Sequence, residues 1–264
     1  MSVRLATPST LQAMANAAKP GDVIELTTGI YENTWPGSDI LRITKGGAPS
    51  FPITFRPAIG ARPIFAVREN WSAILVTANH IRLDGLALVG IAREIDYEGA
   101  ILASKAPTGP RHSSNGISIK NARNVSVQNC QITDMPGGGI YALGCDYLTI
   151  ERNIVTGCCM WSRYGQSGIS IHKAVAVNDI LAFKIIVRWN QCHGNEQRIP
   201  WEQTGKIQDG HGILCDENEG YKSPILVAEN ACFGNGGLGV HAFKSPTAAL
   251  HDNLERWNNR SKVN

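Results

Sequence analysis

Charge is scarce in this chain of 264 residues. Only 18% of them are Asp, Glu, Lys or Arg, and 25 basic against 22 acidic residues leave a formal net charge of +3. With 43% hydrophobic residues there is too much apolar material and too little charge for disorder as the general state. Basic clusters of the kind that track phosphates are missing too, so nucleic acid is not an expected partner. No uncharged apolar run approaches the ~18 residues of a membrane span. The first fifteen residues (MSVRLATPSTLQAMA) lack the apolar core of a signal peptide. The expected compartment is therefore the cytoplasm, or the periplasm or exterior if a leader has been removed. Paired CxxC units are absent, and Cys130, Cys145, Cys158, Cys159, Cys192, Cys215 and Cys232 are odd in number and scattered. That excludes a zinc ribbon and a disulfide scaffold, and leaves the thiols as small core groups.

What is present is a repeat. Gly116-Ile-Ser-Ile-Lys120, Gly139-Ile-Tyr-Ala-Leu143, Gly168-Ile-Ser-Ile-His172, Gly212-Ile-Leu-Cys-Asp216 and Gly239-Val-His-Ala-Phe243 each carry small or apolar residues one and three places after the glycine. Such alternation is that of a strand with one buried face. A second unit ends in asparagine: Ile150-Glu-Arg-Asn153, Val187-Arg-Trp-Asn190, Val227-Ala-Glu-Asn230 and Leu250-His-Asp-Asn253, with Cys130 at the equivalent place one repeat earlier. From Cys130 onward these positions are 23, 37, 40 and 23 residues apart. A coil of about 23 residues with insertions in two coils is the signature of a solenoid. With short strands and no helix between them, the expected fold is all-β, one single-stranded right-handed parallel β-helix domain over residues 1–264. Asparagine tolerates left-handed backbone and can bond to copies above and below it, so the recurring Asn is expected to form a ladder.

Residues 9–19 have helical composition, with Ser9 or Thr10 as N-cap and Pro20-Gly21 as stop, and are predicted to cap the N-terminal end. Val23–Leu26, Ile53–Arg56, Ile64–Ala66, Ile74–Val76 and Ile81–Leu83 are the expected strands of the first coils. The polar segment from Asn253 to Asn264 has no comparable cap. Residues 158–166 and 192–210 are the expected loop insertions.

Three N-terminal segments resemble a known family: Ala15 to Tyr31 (ANAAKPGDVIELTTGIY), Gly46 to Arg56 (GGAPSFPITFR) and Ile81 to Leu86 (IRLDGL). They are similar to the opening of the pectin-lyase-like β-helix proteins, nearest to the chondroitinase B and alginate lyase branch of polysaccharide lyases. The likeness covers about the first 90 residues and implies a β-helix. By the same resemblance, the activity would be β-elimination on a uronate polymer assisted by Ca²⁺, with an acidic polysaccharide as partner. Lys244-Ser245 is similar to that branch's segment bearing the base. The preceding strand, Val240-His-Ala-Phe243, lacks acidic ligands, and only Arg256 and Arg260 follow as arginines. Gly210-His-Gly212 is similar to the glycine-flanked histidine of polygalacturonases, without their paired aspartates.

Stacking the glycine strands puts Lys120, Leu143, His172, Asp216 and Phe243 in one outward column. Ser118, Tyr141, Ser170, Leu214 and His241 form its neighbour, and Lys173, Glu217 and Lys244 lie one place further on. Coils spaced ~4.8 Å apart bring these groups into one patch. Lys244, His241, His172, Lys173 and His211 are the candidate catalytic residues, being of the types that move protons. Asp209, Asp216 and Glu217 offer the hard oxygens that calcium accepts. Trp161, Tyr164, Trp201 and Tyr141 are candidate sugar-stacking rings, with Lys120 beside them. His80, His112, His193 and His251 are assigned to turns and ladder flanks. Three functions remain open: a polysaccharide lyase, a glycan-binding solenoid without catalysis, and a glycoside hydrolase acting through two carboxylates.

Overall fold

A computed structural model describes residues 2–107 and 112–260. The chain winds through three parallel sheets of nine, seven and eight strands, and consecutive coils stack strand on strand. The seven-stranded sheet carries the glycine repeats and is called here the site sheet. Its strands are Asp39–Ile43, Ser72–Val76, Asn115–Lys120, Ile140–Leu143, Ile169–His172, Ile213–Asp216 and Val240–Phe243. Pairing is in register, so Ile117, Ile140, Ile169, Ile213 and Val240 form one inward stack. All five are buried, and the five strands expected in the first coils are present.

The repeated glycine has a steric cause. A Cβ on Gly116, Gly139, Gly168 or Gly212 would lie 2.5–2.7 Å from the carbonyl oxygen of the glycine one coil on, closer than real side chains come. The asparagines also form the expected ladder. Asn153 Nδ2 donates to Asn190 Oδ1 (2.9 Å), Asn190 Nδ2 to Asn230 Oδ1 (3.0 Å) and Asn230 Nδ2 to Asn253 Oδ1 (2.9 Å). Each side chain also bonds to main chain, and Cys130 N donates to Asn153 Oδ1 where the ladder ends. A second ladder, Asn195–Asn235–Asn258, was not foreseen from the sequence; it begins where Cys158 N donates to Asn195 Oδ1. All seven cysteines are free and buried.

Three local expectations are corrected. The cap is a helix α1 of only six residues, Leu11–Asn16, and the hydroxyl of Thr10, its N-cap, accepts from Thr7 N (2.9 Å) and makes no cap hydrogen bond to the helix. It still protects an edge: Gln12 bonds through its amide to both N and O of Arg42. Secondly, the segment before Asn115 contains a second helix, α2 (Tyr97–Ser104), whose N-cap Asp96 accepts from Gly99 N (2.6 Å). Thirdly, an insertion follows Lys173 at the corner leaving the site sheet. It is held by Lys184, whose ammonium lies buried 3.3 Å from Asp146. The last residues of the polar C-terminal segment, 261–264, lie outside the described residues. No helix among the described residues is long and apolar enough to cross a membrane.

Candidate active site

Register places the sequence-derived columns side by side. Lys120, Leu143, His172, Asp216 and Phe243 pair coil to coil, as do Ser118, Tyr141, Ser170, Leu214 and His241. Both columns were expected to face solvent, yet Ser118, Ser170 and Leu214 are buried. For Ser118 the reason is visible, since its hydroxyl accepts from Ser72 (2.7 Å) and from Asn115 (3.2 Å).

The titratable groups gather around Asp216. His172 Nδ1 is 2.8 Å from the Tyr141 hydroxyl, and its Nε2 is 3.4 Å from Glu217 and 3.9 Å from Asp216. Lys173 Nζ lies 3.0 Å and Lys244 Nζ 3.7 Å from the same Glu217 carboxylate. Hydrogen bonds from Lys173 and His172 hold the Glu217 carboxyl below its ordinary range, so it is an ionised acceptor. His172 Nε2 therefore donates to it, and Nδ1 is left to accept the Tyr141 O–H. Burial pushes the Tyr141 phenol up to about 12, with the Asp216 charge adding to it, so at neutral pH the hydroxyl keeps its proton. The result is a row of hydroxyl, imidazole and carboxylate.

Next to this row, Asp209 is 15% exposed and lies 3.8 Å from Nε2 of His211. Desolvation and then the Asp216 charge push its carboxyl up to about 6, and desolvation raises Asp216 as well. Above pH 6 the Asp209 carboxyl is ionised in both the folded and the unfolded chain, and burial of the charge costs the fold about 3 kcal/mol. That cost disappears as pH falls from about 6 to the ordinary 3.8. Asp209→Asn is accordingly expected to raise stability by about 1–3 kcal/mol at pH 7.5, with the gain shrinking toward pH 4. Denaturant unfolding at the two pH values checks this.

Lys173, Glu217 and Lys244 occupy a corner where earlier coils have Asn121 and Gly144, and all five are left-handed, with φ between 46° and 65°. Side chains other than Gly and Asn are strained there by about 1 kcal/mol or more. Lys244→Gly is expected to gain about 1 kcal/mol of stability, because the exposed ion pair it removes is worth little. Thermal unfolding beside an activity assay would show stability and function moving apart.

Other candidates are placed differently. Trp161 does not face a ligand. It is 4% exposed, packs with Ala92, Ala100, Met160 and Ile199 and donates from Nε1 to Ala92 O (2.6 Å), pinning the loop to the segment that carries α2. Tyr164 is 37% exposed under the Arg163 guanidinium, Trp201 is half-buried next to Gly165, and Lys120 is exposed at the corner of its strand. The three proposed calcium ligands do not make a cage. Glu217 is taken up by two lysines and a histidine, and the described residues contain no group of three His, Cys, Asp or Glu side chains arranged to hold an ion. Sequence reasoning also missed the diagonal contact of Tyr141 with His172, having grouped Tyr141 with the sugar-binding rings. Register brings the two only near each other, on adjacent strands two positions apart, and the lean of the phenol toward the ring makes the contact.

Comparison with known proteins bears on the fold. A family profile described as a right handed beta helix region matches residues 115–259. No curated protein sequence matches. Among solved structures the chain is similar to the pectate lyase Pel9A, with a TM-score of 0.57, 13% identity and coverage of 89% of this chain and 64% of that one. It is similar to a mannuronic acid specific polysaccharide family 6 lyase from human gut microbiota, at 0.52, 14%, 92% and 51%. For the PL6 family alginate lyase AlyGC the values are 0.50, 14%, 91% and 30%. The chain thus spans less than two thirds of each of these structures, and the likeness is one of fold.

Proposed function

Because the chain belongs to the right-handed β-helix family, we propose that its site sheet binds an acidic polysaccharide and cleaves it by β-elimination. The observation that carries this reading is the Tyr141–His172–Glu217 row, set beside the half-exposed Lys244. Lyases of pectate and of mannuronic acid share the fold, which agrees with a uronate polymer as substrate. In the reaction, the Tyr141 oxygen takes the proton on the carbon beside the uronate carboxylate while its own proton passes to His172 Nδ1. The C–H electron pair becomes the new double bond, the glycosidic C–O bond breaks, and the departing oxygen takes a proton from water. His172 is then an imidazolium opposed by Glu217 and Asp216, which stabilise its charge. Lys244, half exposed, offsets the substrate carboxylate as charge moves onto it. No step is routed through calcium, because Asp209, Asp216 and Glu217 do not fit an ion site.

The test is a panel of alginate, polygalacturonate, glycosaminoglycans and bacterial exopolysaccharides, followed by the ultraviolet absorbance of unsaturated uronates. A rise on one polymer that persists in chelator is the expected outcome. A flat trace across the panel, with tight oligosaccharide binding, would replace this reading by binding without cleavage. Hydrolysis is the second reading, favoured by Asp209 and Asp216, two neighbouring carboxyls both raised by burial. New reducing ends without ultraviolet absorbance would establish it.

A further inference from the structure

His211 is buried at 5% exposure, and its hydrogen bonds dictate where its proton sits. The main-chain N–H of Leu238 donates to His211 Nδ1 at 2.7 Å. A backbone amide has no other role than donor, so Nδ1 must carry the lone pair and Nε2 the proton. His211 Nε2 lies 3.1 Å from His241 Nδ1, with the two ring centroids 4.6 Å apart and the planes at 64°. Since His211 Nε2 carries a hydrogen, it donates and His241 Nδ1 accepts. In the neutral ring the His241 proton is then on Nε2.

We infer that His211 is a positioning residue that locks His241 in its Nε2–H form, so that His241 meets the glycan as a hydrogen-bond donor and not as the base that abstracts a proton. The donor role rests on the function proposed above; the lock does not. Tight packing supports the lock, because a methyl group on Gly237 would collide with His211 Nδ1. The charged groups facing the pair are Asp209, 3.8 Å from His211 Nε2, and Asp216, which lies near His241. Beneath the same strand, Glu255 accepts from Val240 N at 2.9 Å. His241 stands three coils from Tyr141 in the same column, which at ~4.8 Å per coil places it along the bound chain from the bond that Tyr141 attacks. A donor there recognises a hydroxyl or carboxylate oxygen on a neighbouring sugar unit.

Two measurements test the inference. Nitrogen-15 spectra of the imidazole rings at neutral pH are expected to show both His211 and His241 as Nε2–H. His211→Gln can still accept from Leu238 and donate to His241, and should leave the His241 signature unchanged. His211→Leu should convert it to a mixture of tautomers, with a denaturation curve confirming that the variant is folded. A His241 ring protonated on Nδ1 in the parent overturns the lock.

The second measurement is kinetic, on whichever of alginate or polygalacturonate is cleaved. His241→Ala is expected to lose about tenfold in kcat/KM, the worth of one hydrogen bond, chiefly through KM. His241→Gln, which keeps an N–H donor, should recover most of that loss. If the Gln and Ala variants are equally inactive, and the defect lies in kcat, His241 is the base and the donor role is wrong. If the parent yields no unsaturated ends on any polymer, it is the proposed function that falls, and the spectra still decide the lock.

Discussion

Replacing Asn190 with alanine should destabilise the protein by at least about 3 kcal/mol, a large part of the 5–15 kcal/mol typical of a whole domain. Asn190 is fully buried, and its amide joins three coils. Its Oδ1 accepts from Asn153 N and Nδ2 at 3.0 and 2.9 Å, while Nδ2 donates to Ile150 O at 2.9 Å and Asn230 Oδ1 at 3.0 Å. Alanine leaves two donors on Asn153 and the Ile150 carbonyl without partners in a dry interior, and each orphan costs about 1–3 kcal/mol. Guanidinium unfolding gives the measurement. Aspartate at the same position is a sharper probe, since it keeps the acceptor oxygens and loses the donor. It would press a carboxylate against two carbonyl oxygens and should be worse still at neutral pH. A loss under about 1 kcal/mol for Asn190→Ala would mean that the apolar stacks alone set the coil register.

The second large effect concerns chemistry. Tyr141→Phe removes one oxygen from a half-buried ring, and is expected to lower the rate of unsaturated-product formation by about 10²–10⁴-fold in kcat. Stability should fall by no more than about 1.5 kcal/mol, one hydrogen bond to His172 Nδ1. His172→Gln should be comparably impaired, and the double variant little worse than either single one, because the row works as a unit. Should Tyr141→Phe retain activity within a few-fold, the proton is taken elsewhere, and Lys244 becomes the group to replace next. The two predictions separate cleanly: the Asn190 variant fails by unfolding, whereas the Tyr141 variant stays folded and fails by chemistry.

How much of this was legible beforehand differs between fold and site. The glycine strands and the asparagine positions could be read because a solenoid repeats its constraints. The same steric demand at Gly116, Gly139, Gly168 and Gly212 recurs once per coil and leaves the same letter each time. Departures arose where a coil does something once. The Asp96 cap of α2, the Lys184 insertion and the second ladder beginning at Asn195 each serve a single place or fall in loops of unequal length. Trp161 shows why composition misleads in such loops, since an aromatic beside charged residues suits a sugar platform and a satellite core equally well. Only the packing of Ala92, Ala100 and Ile199 around it decides.

What the sequence determined by itself was the coil, its inward residues and the membership of the outward columns, because these follow from a period of two along each strand and one strand per turn. Tertiary structure alone decided which of those outward groups act on one another. Register aligns backbones, but side chains lean: Tyr141 reaches His172 across a diagonal, and Glu217 gathers Lys173 and Lys244 from both sides. The His211 proton is fixed by a main-chain N–H from Leu238, a donor that no side-chain pattern records. Those contacts depend on a few tenths of an ångström and on which donor has no alternative, quantities that exist only once the coils are stacked.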